Sequence, residues 1–350
     1  MTTQKCIVEY VWVGGGDELR SKTRILDIDR NRNIDLLIIP DWNYDGSSTN
    51  QADGRESEIV MKPKCIFKDP FRHDIYTPKT TNIMVLCDTY TPDNKPIFNN
   101  TRYAANKLFD EKLEEEPWFG LEQEYFLIDP TTSLPLGYNE TKMDTQGRFY
   151  CGVGHENAYG RTVAEEHMNH CLYAGVRLSG INAEVAPGQW EFQVGPCKGI
   201  EAGDHLLMAR YILQRVGELH KVIINIEPKP LKGDWNGSGC HTNYSTKHMR
   251  EGTHDKTGLQ YIDEAVVKLS KKHKDHMSVY GTGNEERMTG QHETASYDIF
   301  TDGNGNRGAS IRRGFDTIKN EKGYFEDRRP SSNCDPYLVT SIIFKTTCLD

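Results

Sequence analysis

Residues 181–194, INAEVAPGQWEFQV, set two strand-like runs on either side of a Pro187-Gly188 turn. If the strands register on that turn, Ala186 faces Gln189 and Glu184 faces Glu191. Alternation then puts both glutamates on one face of a hairpin, with Asn182 and Gln193 beside them, and turns Trp190 and Phe192 to the other. Like charges directly opposite on a sheet are destabilising, so the pairing asks for a counter-charge. The same pattern recurs at 120–128, GLEQEYFLI, where Glu122 and Glu124 share a face and Gln123 and Tyr125 take the other. Solvent-facing strands would account for either pair alone. They account poorly for four glutamates among Trp118, Phe119, Tyr125, Phe126, Trp190 and Phe192, which read as core-facing neighbours.

Buried carboxylates need positive partners, and these strands carry few lysines or arginines. Divalent cations are the natural alternative, and an oxygen-rich ligand set suits Mg²⁺ or Mn²⁺. His241, in GCHTNYS at 239–245, offers one nitrogen ligand, although a lone histidine reads first as a structural residue. The chain has no C-x-x-C pair and no H-E-x-x-H, so zinc is not expected.

The wider sequence bounds these readings. At 350 residues, two domains are the default. A net charge of −9 argues against a nucleic-acid duplex or an anionic membrane as the main partner. The opening MTTQKCIVEYVWVGGG alternates like a strand and is broken by Glu9, unlike a secretory signal. No run approaches the roughly 18 apolar residues of a membrane span. Nine scattered cysteines without a secretory signal point to reduced thiols and a cytoplasmic location.

Residues 1–95 read as mostly strand: CIVEYVWV at 6–13 hairpins through Gly14-Gly15-Gly16 to SKTRILDI at 21–28. DLLIIP at 35–40 and NIMVLCD at 82–88 read as buried strands, with a small-polar loop, DWNYDGSSTNQADG, at 41–54. DTYTPDNKP marks a boundary near residue 95, and residues 96–350 form the second domain. Helices are expected at 101–116, 161–175, 202–222 and 261–275. Without a repeated βαβ beat, the mixture predicts an α+β fold with a mainly antiparallel sheet.

No Walker-type phosphate loop is present. Arginines nevertheless cluster late, in NRGASIRRG (Arg307, Arg312, Arg313) and YFEDRRP (Arg328, Arg329), with glycines that let a ligand approach the backbone. A solvated basic face is the plain reading of such a cluster. Divalent metals with arginines are also the general kit of phosphoryl transfer. The residues alone therefore reach a metal-dependent enzyme acting on a nucleotide or phosphoester.

Taken together in order, DWNYDGSSTNQA, KDPFR, PWFGLEQEYFL, YCGVGHENAYGR, INAEVAPGQWEFQVGP, DWNGSGCHTNYSTK, TGQHETAS, NRGASIRR and GYFEDRRPSSNCDPY resemble the eukaryotic-type (type II) glutamine synthetases along nearly the whole chain. The resemblance implies a small N-terminal β-grasp domain followed by a catalytic domain. It implies ligation of ammonia to glutamate with ATP as co-substrate, through a γ-glutamyl phosphate. Glu124, Glu184 and Glu191 match the ligands of a first metal; Glu122, His241 and Glu326 match those of a second. Arg307 and Arg312 match phosphate-contacting arginines, and Arg287 and Arg328 match those holding substrate carboxylate and transferred phosphoryl group. Asn236 and Gly237 match positions that grip the amino-acid end of glutamate, and Trp118, Asn243, Ser245 and Tyr324 fall in segments lining the nucleotide. Asp45 matches an ammonium-binding acid contributed by a neighbouring subunit, and Glu293 an acid on a flap that shields the acyl phosphate. The family assembles as pentameric rings, usually a decamer of two. This sequence begins almost directly at its first strand, where relatives usually carry a further segment that organises ring contacts, so the number of rings stays open. Glu286 stands where relatives usually have arginine; its charge is expected to weaken glutamate binding, with Arg313 a partial offset.

Overall fold

The computed structural model describes residues 3–29, 33–72, 82–139 and 147–350. The backbone divides into two compact units. The first is Met1–Ala104 with Asn169–Val176 and Met208–Ile212; the second is Ala105–Met168, Arg177–Leu207 and Leu213–Asp350.

The first unit carries β1 (Thr3–Val13), β2 (Leu19–Asp29), β3 (Trp42–Asp45), β4 (Glu58–Lys68) and β5 (Ile83–Tyr90). They form one sheet in the order β2-β1-β5-β4-β3, with β1 and β5 parallel and the other pairs antiparallel. This mixed five-stranded sheet fits a grasp-type domain. The β1–β2 hairpin closes where the Gly14 N–H donates to Glu18 O at 2.8 Å. Alternate residues Cys6, Val8, Tyr10 and Trp12 pack on Ile59, Met61, Val85 and Cys87.

Two expectations fail in this unit. Residues 35–40 are a turn rather than a buried strand. The Asp35 carboxylate caps the Leu37 N–H at 2.9 Å, Leu37 is 90 % exposed, and of the run only Ile39 is buried. The segment read as a loop at 41–54 instead begins with β3, and β4 follows it. β4 was hidden by Pro63, which sits at a bulge where the register shifts between Pro63 and Cys65.

The second unit is built on a sheet of eight strands: β6 (Trp118–Ile128), β7 (Leu178–Ala183), β8 (Gln189–Lys198), β9 (Ile223–Asn225), β10 (Cys240–Ser245), β11 (Asp302–Asn304), β12 (Ile311–Arg313) and β13 (Phe325–Asp327). Its order is β11-β12-β13-β10-β6-β8-β7, with β9 pairing β6. Every pair is antiparallel except β11–β12. The four expected helices appear as α1 (Thr101–Glu111), α2 (Arg161–Ala174), α3 (Glu201–His220) and α5 (Gly258–Lys271), with a short α4 (Lys247–Glu251) between the last two. α4 was not anticipated. α5 starts on a Thr257–Gln260 capping box and stops at Lys271, and a separate short helix, His273–Met277, follows. Among the described residues no helix is long and apolar enough to cross a membrane, and no disulfide forms.

Candidate active site

The central strands of the second sheet bring most of the chosen polar residues onto one face. On β6, Glu122 pairs with His241 of β10 on one side and with Gln193 of β8 on the other. One step along, Glu124 pairs directly with Glu191. Asn243 of β10 pairs with Glu326 of β13, and Glu326 with Arg312 of β12. Period-two alternation thus carries these side chains to a common surface across five strands. The opposite face buries Leu121, Gln123, Tyr125, Phe192, Thr242 and Tyr244.

The hairpin register differs from the one expected. The Gln189 N–H does bond Ala186 O at 3.2 Å, but the Glu184 N–H donates to Gln189 O at 2.9 Å. Two extra residues are taken up around the turn, so Asn182, not Glu184, lies opposite Glu191. Because the slip is by two, face parity survives. The like-charged cross-strand pair is therefore Glu124–Glu191, and Glu184 enters from just beyond the end of β7. Trp118 also departs from expectation: it is 39 % exposed, with the Arg250 guanidinium 3.9 Å above its ring.

Two adjoining cavities open on this face. The first, about 500 Å³ and mainly apolar, is lined by Trp118, Leu121, Pro196, Asn243, Ser245 and Tyr324 among others. The second, about 440 Å³ and polar, gathers Glu124, Glu184, Glu191, His241 and Glu326 with Arg287, Arg307, Arg312 and Arg328. Asn236, Gly237 and Glu293 line its wall as well. Glu122 and Gln193 line both cavities and mark where they meet. Of the metal, phosphate, substrate and nucleotide residues that the resemblance implies, only Asp45 lies in the first unit; the rest line one or other cavity of the second, whereas Arg313, Arg329 and Glu286 line neither.

Within the polar cavity Glu124, Glu184 and Glu191 are all nine-tenths buried. Their hydrogen bonds come from neutral donors. Glu124 accepts from the Gly239 N–H at 2.9 Å and from the Gln189 amide at 3.2 Å. Glu184 accepts from the Asn182 amide at 2.8 Å, and Glu191 from the Gln193 amide. Burial first, and then the neighbouring carboxylates, push all three acids well above the usual carboxylate range. One ligand atom each from Glu122, His241 and Glu326 lies within 4.8 Å of the others. Burial, followed by the nearby Arg328 charge, drives the His241 imidazole well down, so it presents a neutral ring with a lone pair. Among the described residues, Glu122, His241 and Glu326 alone bring their ligand atoms to metal-ligand spacing, while Glu124, Glu184 and Glu191 line the same cavity as buried carboxylates; oxygen donors with one imidazole suit hard divalent cations.

Anion recognition has its own marks. Arg312 Nη1 bonds Glu326 Oε2 at 2.9 Å, and its buried Nε has no hydrogen-bond partner. Such an orphaned donor calls for an anionic oxygen. Arg328 Nη1 holds Glu326 Oε1 at 2.6 Å, while Arg307 is exposed at the cavity edge. Arg287 is buried and fixed by bonds from Nη2 to the carbonyls of Arg328, Arg329 and Pro330. Arg313 points to the other side of β12, where Asp263 and Asp302 bind it at 2.8 and 2.6 Å. It is not the offset for Glu286; that acid pairs with Lys232 and does not line the polar cavity.

Sequence reasoning passed over three contributors. Gln189 follows the same alternation as Glu191 and could have been read from it. His292, in the cavity wall, is adjacent to Glu293 but carried no separate signal. Arg250 lies on the unanticipated α4, and nothing in its sequence neighbourhood marks it.

Asp45 is exposed in the first unit at the start of a single turn, Gly46–Thr49. Its carboxylate accepts from the Ser47 N–H at 3.1 Å and from the Ser47 and Ser48 hydroxyls at 2.7 Å each. These bonds, that of Ser48 foremost, hold it far below the usual carboxylate range.

A family profile described as "Glutamine synthetase, catalytic domain" matches residues 99–348. The chain is 54 % identical over 352 residues to a "Glutamine synthetase nodule isozyme" of Lupinus luteus, covering 99 % of this chain and 96 % of that one. It is 53 % identical to a "Glutamine synthetase cytosolic isozyme" of Medicago sativa (99 % and 95 % covered) and to a "Glutamine synthetase, chloroplastic" of Brassica napus (99 % and 79 %).

Proposed function

From the premise that the chain belongs to the glutamine synthetase family and is a glutamate–ammonia ligase, we propose how its two cavities divide that work. The apolar cavity takes the adenine end of ATP, between Trp118, Ser245 and Tyr324, with the phosphates running past Glu122 into the polar cavity. The polar cavity takes glutamate, its amino-acid end at Asn236, Gly237 and Arg287 and its side-chain carboxylate toward Arg328 and Arg307. The observation that carries this reading is the Glu122–His241–Glu326 triad, with the buried Glu124, Glu184 and Glu191 lining the same polar cavity, on a wall shared with a nucleotide-sized cavity.

The family depends on ATP and divalent metal. Glu124, Glu184 and Glu191 would hold one ion, and Glu122, His241 and Glu326 another. Mg²⁺ or Mn²⁺ bound there would neutralise the facing anions of phosphate and carboxylate. The chain's own groups do the rest. Arg307, Arg312 and Arg328 place guanidinium donors around the transferring phosphoryl group, the unpartnered Arg312 Nε among them. An oxygen of the glutamate side chain attacks the terminal phosphorus, and ADP leaves. The nitrogen of ammonia then attacks the acyl carbon, and inorganic phosphate departs with the electron pair of the C–O bond. Glu293 covers the acyl phosphate and limits attack by water.

Asp45 supplies a fixed negative charge for ammonium, contributed across a subunit boundary in a pentameric ring, with two rings stacked as a decamer. Its support is the resemblance of the loop and the ionised state its serine donors enforce. Relatives include both cytosolic and chloroplastic forms, and a cytosolic location is the reading adopted here.

The test is Mg²⁺-dependent phosphate release from ATP with glutamate and ammonium, and with each omitted in turn. Full release should require both. Release indifferent to ammonium points to a ligase of another amine or a kinase, and absence of release to a chain that has lost catalysis.

A further inference from the structure

An ion pair and a histidine–carboxylate contact join the segments on either side of the polar cavity's rim. Lys232 Nζ meets Glu286 Oε2, and His292 Nε2 lies 2.7 Å from Asp234 Oδ1. Lys232 and Asp234 belong to the loop that presents Asn236 and Gly237 to the cavity; Glu286 and His292 flank Arg287 and precede Glu293 on the other side.

Each segment is closed at its own base. The Ser238 N–H donates to Pro228 O at 2.9 Å, and the Tyr297 N–H to Met288 O at 2.9 Å. Between the bases, the second segment adopts a costly shape. His292 and Glu293 are consecutive non-glycine residues at φ +52° and +60°. Such backbone persists only where its surroundings over-determine it. One tie is Arg328 Nη2 to Glu293 O at 3.1 Å; the His292–Asp234 contact is a second, facing the opposite loop.

The polarity of the two crossings is reversed. Along one loop the order is cationic Lys232 then anionic Asp234; along the other it is anionic Glu286 then the imidazole of His292. A slip of either loop would bring Asp234 toward Glu286, setting like charges together, so the pattern specifies one registration. We propose that Lys232–Glu286 and Asp234–His292 form a two-point clasp that holds the Asn236–Gly237 loop against the Glu293 segment. These four are positioning residues for glutamate retention and for shielding its activated carboxylate. The proposal rests on the reading of the polar cavity as the glutamate end and of Glu293 as its cover.

Both pairs are solvent-accessible, so each is worth a modest factor, about two- to fivefold in an equilibrium. The experiment uses the purified full-length enzyme in its native assembly. Lys232→Glu, Glu286→Lys, the swapped double variant K232E/E286K, and Asp234→Asn are compared with the parent for KM of glutamate, KM of ATP, kcat, and phosphate released per glutamine formed at limiting ammonium. Each single reversal should raise KM for glutamate by about threefold or more with KM for ATP unmoved, and the swap should restore it; a Glu286→Lys enzyme that instead tightens glutamate would bear out the expectation from charge alone that Glu286 weakens binding, and would overturn the clasp. Asp234→Asn should raise the phosphate-to-glutamine ratio. Added NaCl should move the parent toward the single variants, since exposed charges are screened. Single reversals that leave KM for glutamate unchanged overturn the clasp. So does a swap that fails to recover while KM for ATP rises in parallel, which is the signature of general disruption. An Asp234→Asn enzyme with parental KM and ratio removes the second point. A parent enzyme whose phosphate release ignores glutamate or ammonium instead overturns the underlying reading, whatever the swap does.

Discussion

Glu191 offers the sharpest prediction, because replacing it should move stability in opposite directions with and without metal. The side chain is 7 % exposed and lies directly across from Glu124. Burial and the charges of Glu122 and Glu124 lift its carboxyl from the usual 4.5 to about 8. A group whose folded value lies above its unfolded one costs nothing below the unfolded value. Its penalty accumulates as pH rises and levels off above the folded value. At pH 7 the ceiling is the cost of holding the proton, about 1.4 kcal/mol per pH unit from 4.5 to 7, or about 3 kcal/mol. Glu191→Gln removes that cost while keeping an oxygen acceptor for Gln193. In EDTA at pH 7 the variant should be more stable than the parent by about 1–3 kcal/mol, a rise of a few degrees in Tm. The gain should fade toward pH 4.5 and be largest near pH 8. Saturating Mg²⁺ at a hundredfold excess over Kd stabilises the parent by about 3 kcal/mol, and the variant, one ligand short, by less. The order of the two melting temperatures should therefore cross on adding Mg²⁺, read by differential scanning calorimetry. A variant that is less stable in EDTA, with an undiminished Mg²⁺ shift, would falsify the cation cage.

Arg250→Ala removes the guanidinium above Trp118 together with its bonds to Ser245 O and Oγ. It should raise KM for ATP by about tenfold in initial-rate assays, with KM for glutamate unchanged. Asp45→Ala should raise KM for ammonium more than KM for ATP; an enzyme losing only ATP affinity would place Asp45 elsewhere. Because Ser48 and then Ser47 hold the Asp45 carboxyl low, Ser48→Ala should let it protonate at higher pH, so ammonium affinity falls off earlier on acidification. Asp327→Asn strands the Arg329 guanidinium in the core and should lower stability by about 3–5 kcal/mol, measured by thermal unfolding.

What the sequence revealed followed from parity. Glu122 and Glu124, and Glu184 and Glu191, share a face because side chains alternate, and that holds whether the hairpin slips by two or not at all. Register itself was not legible, because the number of residues absorbed around Pro187-Gly188 depends on bonds that Glu184 and Gln189 make in three dimensions. Glu326 came only from resemblance: it lies 135 residues from Glu191, and nothing in YFEDRRP says which of two adjacent acids faces the cleft. The pairing of β13 with β10 decides it, turning Glu326 toward His241 and Asp327 away. DLLIIP misled because a run of four apolar residues, Leu36–Ile39, fits a strand or a turn equally, and the capping carboxylate of Asp35 settles the matter. Arg250 was invisible for a related reason, since its function depends on α4 bringing it over a tryptophan 132 residues away.

The sheet can hold such an anionic face because its other face forbids any local escape. On β8 Glu191 sits between Trp190 and Phe192, 1 % and 0 % exposed. On β13 Glu326 is followed by Asp327, which Arg329 grips at 2.9 and 2.7 Å and the Tyr280 hydroxyl at 2.7 Å, all of it buried. A one-residue slip of β8 would separate Glu191 from Glu124, yet it would drive charge into the core and turn two aromatics outward. Exposing each aromatic forfeits about 1.5–3 kcal/mol, and burying an unpaired carboxylate costs several more. Those losses exceed the about 3 kcal/mol ceiling on what relieving Glu191 returns at pH 7. Repulsion among the three glutamates therefore cannot relax through the backbone. It can relax by taking up protons or by taking up cations, and cations gain on protons as pH rises toward the raised value of about 8. Apolar burial thus fixes a register whose electrostatic cost a divalent ion in the cleft would relieve.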